Sequence, residues 1–376
     1  MMKGWNSYQT AIVLQGGGAL GAYEYGVLKA LYEKRPGFIP AVVTGVSIGA
    51  ITAAVLVGAK SDPIEALGEI WGSYFSLFGA LPPIVREYSE SFTPRDAQQA
   101  LSALGNHGMY AVRPDYVLSP GCSDSIFSLA PLKATLAKVI DIGKLNGSKT
   151  HLAVGAIDIA SGESQYFDNH SHGGLSLDHI IASGSLPPAF PPATIDGHPN
   201  RRYWDGGLFL NTPLSEAINF LEQCGADNPN TLRELLVVEL FPMKGHIPHD
   251  MAGVWNRLSQ LMFTSKLNLD TALFGKMNSF IDLMDQIDAL ATQYQPNLRN
   301  HPGYIELRKH QKVDAFNIIQ SALPPQWSNA GDFSKAAIEH RIGAGYRAAL
   351  EHNIGSPKAV TVKISTQQSA ALAVNE

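Results

Sequence analysis

A serine between two glycines stands early in the chain, in the pentapeptide Gly45-Val46-Ser47-Ile48-Gly49. The pattern Gly-x-Ser-x-Gly is typical of a nucleophile elbow, a sharp strand-to-helix turn that lifts a serine hydroxyl clear of a sheet. The flanking residues Gly45 and Gly49 avoid steric collision in such a turn. On local evidence alone, an ordinary tight turn with a helix-capping serine explains the pentapeptide equally well.

A glycine cluster precedes the serine by about one βαβ unit, in the run Gly16-Gly17-Gly18-Ala19-Leu20-Gly21. The run satisfies Gly-x-Gly-x-x-Gly, but dinucleotide binding also requires an acidic residue at the end of the second strand, where Thr44-Gly45 stand. Neighbouring parallel strands would instead bring the glycine amides beside Ser47. Unhindered backbone N–H groups at a helix N-terminus can stabilise an oxyanion.

A serine nucleophile requires a base, and the candidate is Asp205 in the tripeptide Asp205-Gly206-Gly207. An aspartate can act as the base if burial raises its pKa toward the working pH. On local evidence, an ordinary turn aspartate is the commoner interpretation of this tripeptide.

Alternating strands and helices are predicted to position these groups. Apolar strands at 11–14 and 41–44 are each followed by a helical pattern, the second over 48–57, which predicts an α/β layer fold. Further strands are predicted at 151–159, 165–168 and 235–241. The prolines of 182–192 exclude regular structure there.

After Pro248 the sequence pattern changes from alternating strands and helices to mainly helical periodicity. Periodicity predicts a long helical segment over 251–292, a late strand at 304–307 and an amphipathic helix over 333–352. We therefore predict a catalytic domain at 9–245, a mainly helical C-terminal region at 246–355 packed on it, and a flexible tail at 356–376.

Composition limits the function classes. Of the 376 residues, 45% are hydrophobic and only 16% are charged, against about 25% in an average soluble protein. This deficit predicts much buried surface, or an apolar face that meets lipid or a partner. The net charge of −5 argues against nucleic-acid binding, and Cys122 and Cys224 cannot build a disulfide framework. No apolar leader precedes the first strand, so we expect a cytoplasmic protein that can contact a membrane peripherally.

The three motifs, in this order and spacing, resemble the patatin-like phospholipase family. The resemblance covers residues 9–222, where the proline-bearing segment 182–192 is similar to the loop before the catalytic aspartate of the family. It implies a three-layer sandwich, with a mostly parallel central sheet flanked by helices. The chain also resembles a bacterial branch in which this domain is followed by a C-terminal region of uncharacterised function, here a helical extension.

The resemblance also implies roles for individual residues. Ser47 is the nucleophile, Asp205 is its partner in a catalytic dyad, and the amides of Gly17, Gly18 and Ile48 form an oxyanion hole. The implied reaction is hydrolysis of a lipid ester through an acyl-enzyme, with no cofactor and no metal. An acyl ester or phospholipid is the expected substrate, and a homo-oligomer is compatible with it. Leu20 departs from the family, because many relatives carry Arg or Lys there.

Other functions are compatible with parts of the sequence. A Ser-His-Asp α/β-hydrolase or an acyltransferase would need a late histidine, and four are available: His246, His249, His310 and His340. A non-catalytic scaffold would use the aromatic helix 62–78, with Trp71 and Phe75, or the Met-rich segment 251–292 to bind lipid or a partner. The same aromatic helix could form a lid or lipid-facing rim. His170 and His172 resemble a metal pair without a further ligand cluster.

Overall fold

A computed structural model describes residues 5–225, 228, 230–245, 247–264, 267–294 and 296–358 of the chain. Its centre is a seven-stranded mixed sheet in the order β10-β9-β1-β2-β6-β7, with β8 also paired to β6. The strands are β1 Tyr8–Leu14, β2 Val42–Val46, β6 His151–Asp158, β7 Ser164–Asp168, β8 Tyr203–Asp205, β9 Leu232–Glu239 and β10 Ala315–Gln320. A separate three-stranded sheet contains β3 Gly105–Asn106, β4 Tyr110–Val112 and β5 Phe127–Ser128.

Fourteen α-helices are assigned within the described residues. They are α1 Gly21–Lys34, α2 Ile48–Gly58, α3 Pro63–Glu69, α4 Pro83–Phe92, α5 Arg95–Ser102, α6 Pro114–Leu118, α7 Ala130–Val139, α8 Ile142–Asn146, α9 Leu177–Ser183, α10 Leu214–Gln223, α11 Met251–Phe263, α12 Leu267–Tyr294, α13 Pro302–Leu307 and α14 Lys335–Glu351. None of the described helices is both long and apolar enough to cross a bilayer.

Helices cover both faces of the central sheet. One apolar core lies between the sheet and α1, α2, α7, α9 and α14, while α10 packs on the opposite face. Five neighbouring strands, from β10 to β6, run parallel, whereas β7 and β8 are antiparallel to β6. The predicted α/β fold with a mostly parallel central sheet is therefore confirmed.

The strand register brings the motif-bearing turns together. Leu14 of β1 is aligned with Gly45 of β2, so the glycine cluster and the serine pentapeptide leave the sheet side by side. Ala156 of β6 pairs with Asp205 at the end of β8. Because β6 lies next to β2, Asp205 lies at the same end of the parallel strands as Ser47, beyond their carboxyl termini.

The C-terminal region is joined to this core by a strand and a helix. Strand β10 forms one edge of the central sheet, and α14 lies against α1. The two helices approach closely at glycines: a Cβ on Gly26 would lie 2.1 Å from the carbonyl oxygen of Ile342, and one on Gly345 would lie 2.1 Å from that of Tyr23. Of the predicted tail, only 356–358 lie within the described residues.

Three local predictions were wrong. Residues 304–307 are helical, because Pro302 begins α13 and the His301 side chain caps it by accepting from the Gly303 amide at 3.1 Å. The segment 79–128 was predicted to be irregular but contains α4, α5 and the small sheet. Trp71 and Phe75 are buried in the core, at 1% and 0% exposure, so they form no lid or lipid-facing rim.

Candidate active site

Ser47 occupies a strained turn between β2 and α2. Its backbone has φ 56° and ψ −124°, which a non-glycine residue rarely adopts. The turn is too tight for side chains on either side: a Cβ on Gly45 would lie 2.3 Å from the Gly49 carbonyl oxygen, and one on Gly49 would lie 2.5 Å from that of Leu14. A nucleophile elbow requires a tight strand-to-helix turn of this kind.

A second serine stabilises the turn at Ser47 through hydrogen bonds. The amide of Ser47 donates to Ser183 Oγ at 3.0 Å, and that hydroxyl donates to the Gly155 carbonyl at 2.6 Å. Ser183 is fully buried at the end of α9. It thereby ties the serine turn to β6, a role that no sequence motif indicated.

The glycine turn presents free amides beside Ser47. The amides on its two flanks are occupied, since Gly16 donates to the Asn211 carbonyl at 3.3 Å and Ala19 donates to the Ala330 carbonyl at 2.8 Å. Within the described residues, the amides of Gly17, Gly18 and Ile48 have no hydrogen-bond acceptor. All three residues line the same cavity as Ser47.

Asp205 is buried beside the serine, with 2% of its surface exposed. Its Oδ1 accepts from the Gly207 amide at 2.7 Å, and its own amide donates to the Ser185 carbonyl at 3.0 Å. Burial raises the pKa of Asp205 to about 7, although the nearby Ser47 hydroxyl and the hydrogen bond from the Gly207 amide act to lower it. The carboxyl group can therefore exchange a proton near neutral pH.

These groups open into one largely apolar cavity of about 340 Å³. Its wall includes apolar side chains from both halves of the chain, namely Ile51, Met109, Tyr110, Phe127, Leu129, Leu132, Leu186, Phe190, Phe241, Phe263 and Phe333. The polar groups converge at one place, where Ser47, Asp205 and the glycine amides meet. Such a cavity fits a ligand with a long apolar part and a single reactive polar group.

A profile of the patatin-like phospholipase family matches residues 12–218, more than half of the chain. The chain belongs to this family. Among solved structures, it is similar to VipD from Legionella pneumophila, with a TM-score of 0.43 and 15% identity over 94% of this chain and 68% of that one. No curated protein matches it. Membership of the patatin-like family implies an ester hydrolase that acts on lipid acyl groups.

Asn211 is a site residue of this patatin-like protein that the sequence analysis missed. Its Nδ2 donates to the Gly16 carbonyl at 3.0 Å and to the Phe263 carbonyl at 2.8 Å. The same residue thus contacts the glycine turn and the end of α11, and it lines the cavity between them. Its position shortly after the Asp205 motif was the only signal that could have drawn attention to it.

Histidines lie away from this cavity. No histidine lines it among the residues that the structure describes. His310 Nδ1 lies 3.3 Å from Glu222, and the His340 ring stacks on Trp327, while His246 is outside the described residues. The described part of the chain also contains no cluster of three or more metal-ligating side chains, and His170 contacts the Ser148 carbonyl.

Proposed function

We propose that this protein hydrolyses lipid carboxylic esters through an acyl-enzyme, with Ser47 as the nucleophile and Asp205 as the base. The observation that carries the proposal is the buried Asp205 carboxyl group beside the half-buried Ser47 hydroxyl, both on the wall of one cavity. Burial raises the pKa of Asp205 to about 7, which suits a general base. Both groups face an apolar cavity, as a fatty acyl substrate requires.

In acylation, the Asp205 carboxylate accepts the Ser47 proton while Oγ attacks the ester carbonyl carbon. The carbonyl oxygen becomes an oxyanion and accepts hydrogen bonds from the amides of Gly17, Gly18 and Ile48. One such donor typically lowers the activation barrier by about 3 kcal/mol. The tetrahedral intermediate collapses, the bond to the alcohol oxygen breaks, and Asp205 returns its proton to the departing alcohol.

In deacylation, water takes the place of the alcohol. Asp205 accepts a proton from the water as its oxygen attacks the acyl carbon, and the same amides hold the second oxyanion. The bond to Ser47 Oγ then breaks, the proton moves from Asp205 to the serine oxygen, and the fatty acid leaves. The catalytic steps need no histidine, consistent with a cavity that no described histidine lines.

The acyl chain is proposed to occupy the apolar part of the cavity. Aromatic rings dominate that part, among them Phe127, Phe190 and Phe333. Burying methylene groups there is favourable by about 0.8 kcal/mol each. We therefore expect higher kcat/KM for medium- and long-chain esters than for acetyl esters.

The test compares the wild type with Ser47→Ala and Asp205→Asn in hydrolysis of a fatty acyl ester, each checked for folding by circular dichroism. Both variants should lose activity by several orders of magnitude, and Ser47→Ala should also stop labelling by a fluorophosphonate. His310→Ala and His340→Ala serve as controls for a triad and should retain activity. Undiminished hydrolysis by either dyad variant would overturn the proposal.

A further inference from the structure

Helix α11 has its polar side turned inward. Asn256 and Gln260 donate to Ser328 Oγ at 2.9 and 3.2 Å, and Arg257 donates to the Met243 carbonyl at 2.5 Å. The opposite side is exposed and apolar, and consists of Met251, Val254, Trp255, Leu258, Leu261 and Met262. At helical spacing these six residues lie within about 120° of the circumference. A helix that only completed the core would instead turn its apolar side inward and its polar side toward solvent.

A second exposed apolar run directly follows the Asp205 motif. Leu208, Phe209 and Leu210 are 41%, 73% and 38% exposed. The run lies beside α11, because the next residue, Asn211, donates to the carbonyl of Phe263 at the end of that helix. We call these three residues and the six exposed residues of α11 the apolar rim.

The apolar rim adjoins the catalytic cavity. Ser259 and Phe263, on the inner side of α11, line the cavity, as do Gly207 and Asn211 on either side of the exposed run. The cavity wall and the exposed apolar face are therefore two sides of the same segments. Contiguous exposed apolar surface of this kind marks an interaction site.

We propose that the apolar rim inserts into the surface of a phospholipid membrane and holds the cavity against the leaflet. The inference rests on the proposed ester hydrolysis and adds the physical source of its substrate. An interfacial helix buries its apolar side at the boundary between headgroups and acyl chains, and tryptophan is favoured at that depth. Trp255, which is 63% exposed, is the tryptophan of the apolar rim.

Little negative charge lies on this surface. Helix α11 contains no aspartate or glutamate, and neither does the segment 206–215. Asp250 precedes the helix and caps its first turn, where its side chain accepts from the Gly253 amide at 2.6 Å. Lys244 is an exposed basic residue nearby, whereas Arg257 is turned inward. Anionic headgroups therefore meet little repulsion at the apolar rim, although the whole chain carries a net charge of −5.

A membrane explains the position of the apolar rim better than a second copy of the chain does. A protein bound over α11 and residues 208–210 would cover the segments that bound the cavity. A leaflet in the same place would deliver acyl esters to Ser47 without their passage through water.

Vesicle binding tests the proposal directly. Cosedimentation would use vesicles of phosphatidylcholine and phosphatidylglycerol, in a Ser47→Ala background so that no lipid is consumed. Trp255→Ser with Met262→Ser removes two large exposed side chains, and the matched control is Ile39→Ser with Leu350→Ser. Ile39 precedes β2 and Leu350 lies near the end of α14, and both are exposed and do not line the cavity.

The proposal predicts that the Trp255 and Met262 pair lowers the partition coefficient roughly tenfold or more, whereas the control pair leaves it unchanged. Equal binding of both pairs, or no binding of the parent protein, would overturn it. So would size-exclusion chromatography that shows a dimer dissociated by the Trp255 and Met262 pair, combined with no vesicle binding.

Activity separates this proposal from the proposed function. With Ser47 restored, the Trp255 and Met262 pair should hydrolyse vesicle phospholipid roughly tenfold more slowly and a water-soluble short-chain ester at the wild-type rate. Equal loss on both substrates would contradict a role in membrane docking. If the wild type hydrolyses neither substrate but still binds vesicles, the proposed hydrolysis is wrong, whereas the proposal that the apolar rim binds membranes is supported.

Discussion

Arg341 donates a hydrogen bond to the carbonyl of Ala19, with Nη1 3.3 Å from the oxygen, and thus joins the C-terminal helix α14 to the glycine turn. The guanidinium group is buried and also donates to the carbonyls of Trp327, Asn329 and Asp332. Burial lowers its pKa to about 10, so it stays charged at neutral pH. Leu20 brings no charge to the turn, and Arg341 places a cation beside it from the C-terminal helix.

Replacing Arg341 should lower both the stability of the protein and its activity, although Arg341 does not line the cavity. Arg341→Leu leaves buried carbonyls without donors, at a cost of about 1–3 kcal/mol in the free energy of unfolding. It also releases the segment whose Ala330 carbonyl holds the Ala19 amide at 2.8 Å. We expect kcat/KM to fall roughly 100-fold through displaced glycine amides.

Urea unfolding measures the loss of stability in Arg341→Leu, and ester hydrolysis measures the loss of activity. The exposed Arg347→Leu on the same helix is the control, and equal activity of both variants would contradict this role.

The motifs were predictable because each encodes a local backbone requirement. The turn at Ser47 admits only glycines at 45 and 49, and the aspartate precedes glycines for a similar steric reason, since a Cβ on Gly206 would lie 2.6 Å from the Gly155 carbonyl oxygen. Alternating apolar strands and helices then indicated one sheet edge for all three motifs. These constraints act over a few residues and therefore leave a readable pattern.

Other contacts could not be predicted from sequence. Ser183, Asn211 and Arg341 act through residues far from them in sequence, and no spacing rule marks such pairs. Helix α11 shows a different limit of prediction from sequence. Its periodicity predicted a helix with an apolar side, but periodicity does not reveal whether that side faces the core or solvent.

Glu24 should make folding stability depend on pH. It lies fully buried in α1, neither carboxyl oxygen has a hydrogen-bond partner among the described residues, and burial raises its pKa well above the ordinary value. The folded state therefore keeps the proton at a pH where the unfolded chain has lost it. Stability is highest below the unfolded pKa and is lost as pH rises toward the folded value, by up to about 1.4 kcal/mol per pH unit.

Glu24→Gln removes this dependence and should raise the free energy of unfolding at pH 8 while changing it little at pH 4.5. Urea unfolding at both values measures the difference. Glu33→Gln, at an exposed position on the same helix, is the matched control. The same pH slope in all three proteins would show that Glu24 is ionised in the folded state.

The acid limb of the pH–rate profile should report Asp205. Its pKa of about 7 means that the carboxylate form, which the proposed mechanism requires, is lost as pH falls below neutral. We expect kcat/KM for an uncharged ester to rise with pH up to about 7 and then level off, with a value at pH 6 roughly tenfold below the plateau. Initial rates between pH 5 and 9 give the limb. A limb near pH 4 would mean that Asp205 titrates like an exposed carboxyl group.

Asn211→Asp should move that limb to higher pH. The Oδ1 atoms of Asn211 and Asp205 lie 2.7 and 3.0 Å from the position that a Cβ of Gly207 would take, so a carboxylate at 211 would stand close to the base. Like charges at this distance favour the protonated form and raise the pKa of Asp205 further.

The substitution also replaces the Nδ2 donor to the Gly16 and Phe263 carbonyls with an acceptor, so the plateau rate should fall as well. The full pH profile of kcat/KM separates these effects, because a disturbed glycine turn lowers the plateau while an added charge moves the midpoint. Asn219→Asp, exposed on α10, adds the same charge away from the cavity and should leave the midpoint in place. A lower plateau with an unmoved midpoint in Asn211→Asp would show that Asp205 is not the group that titrates.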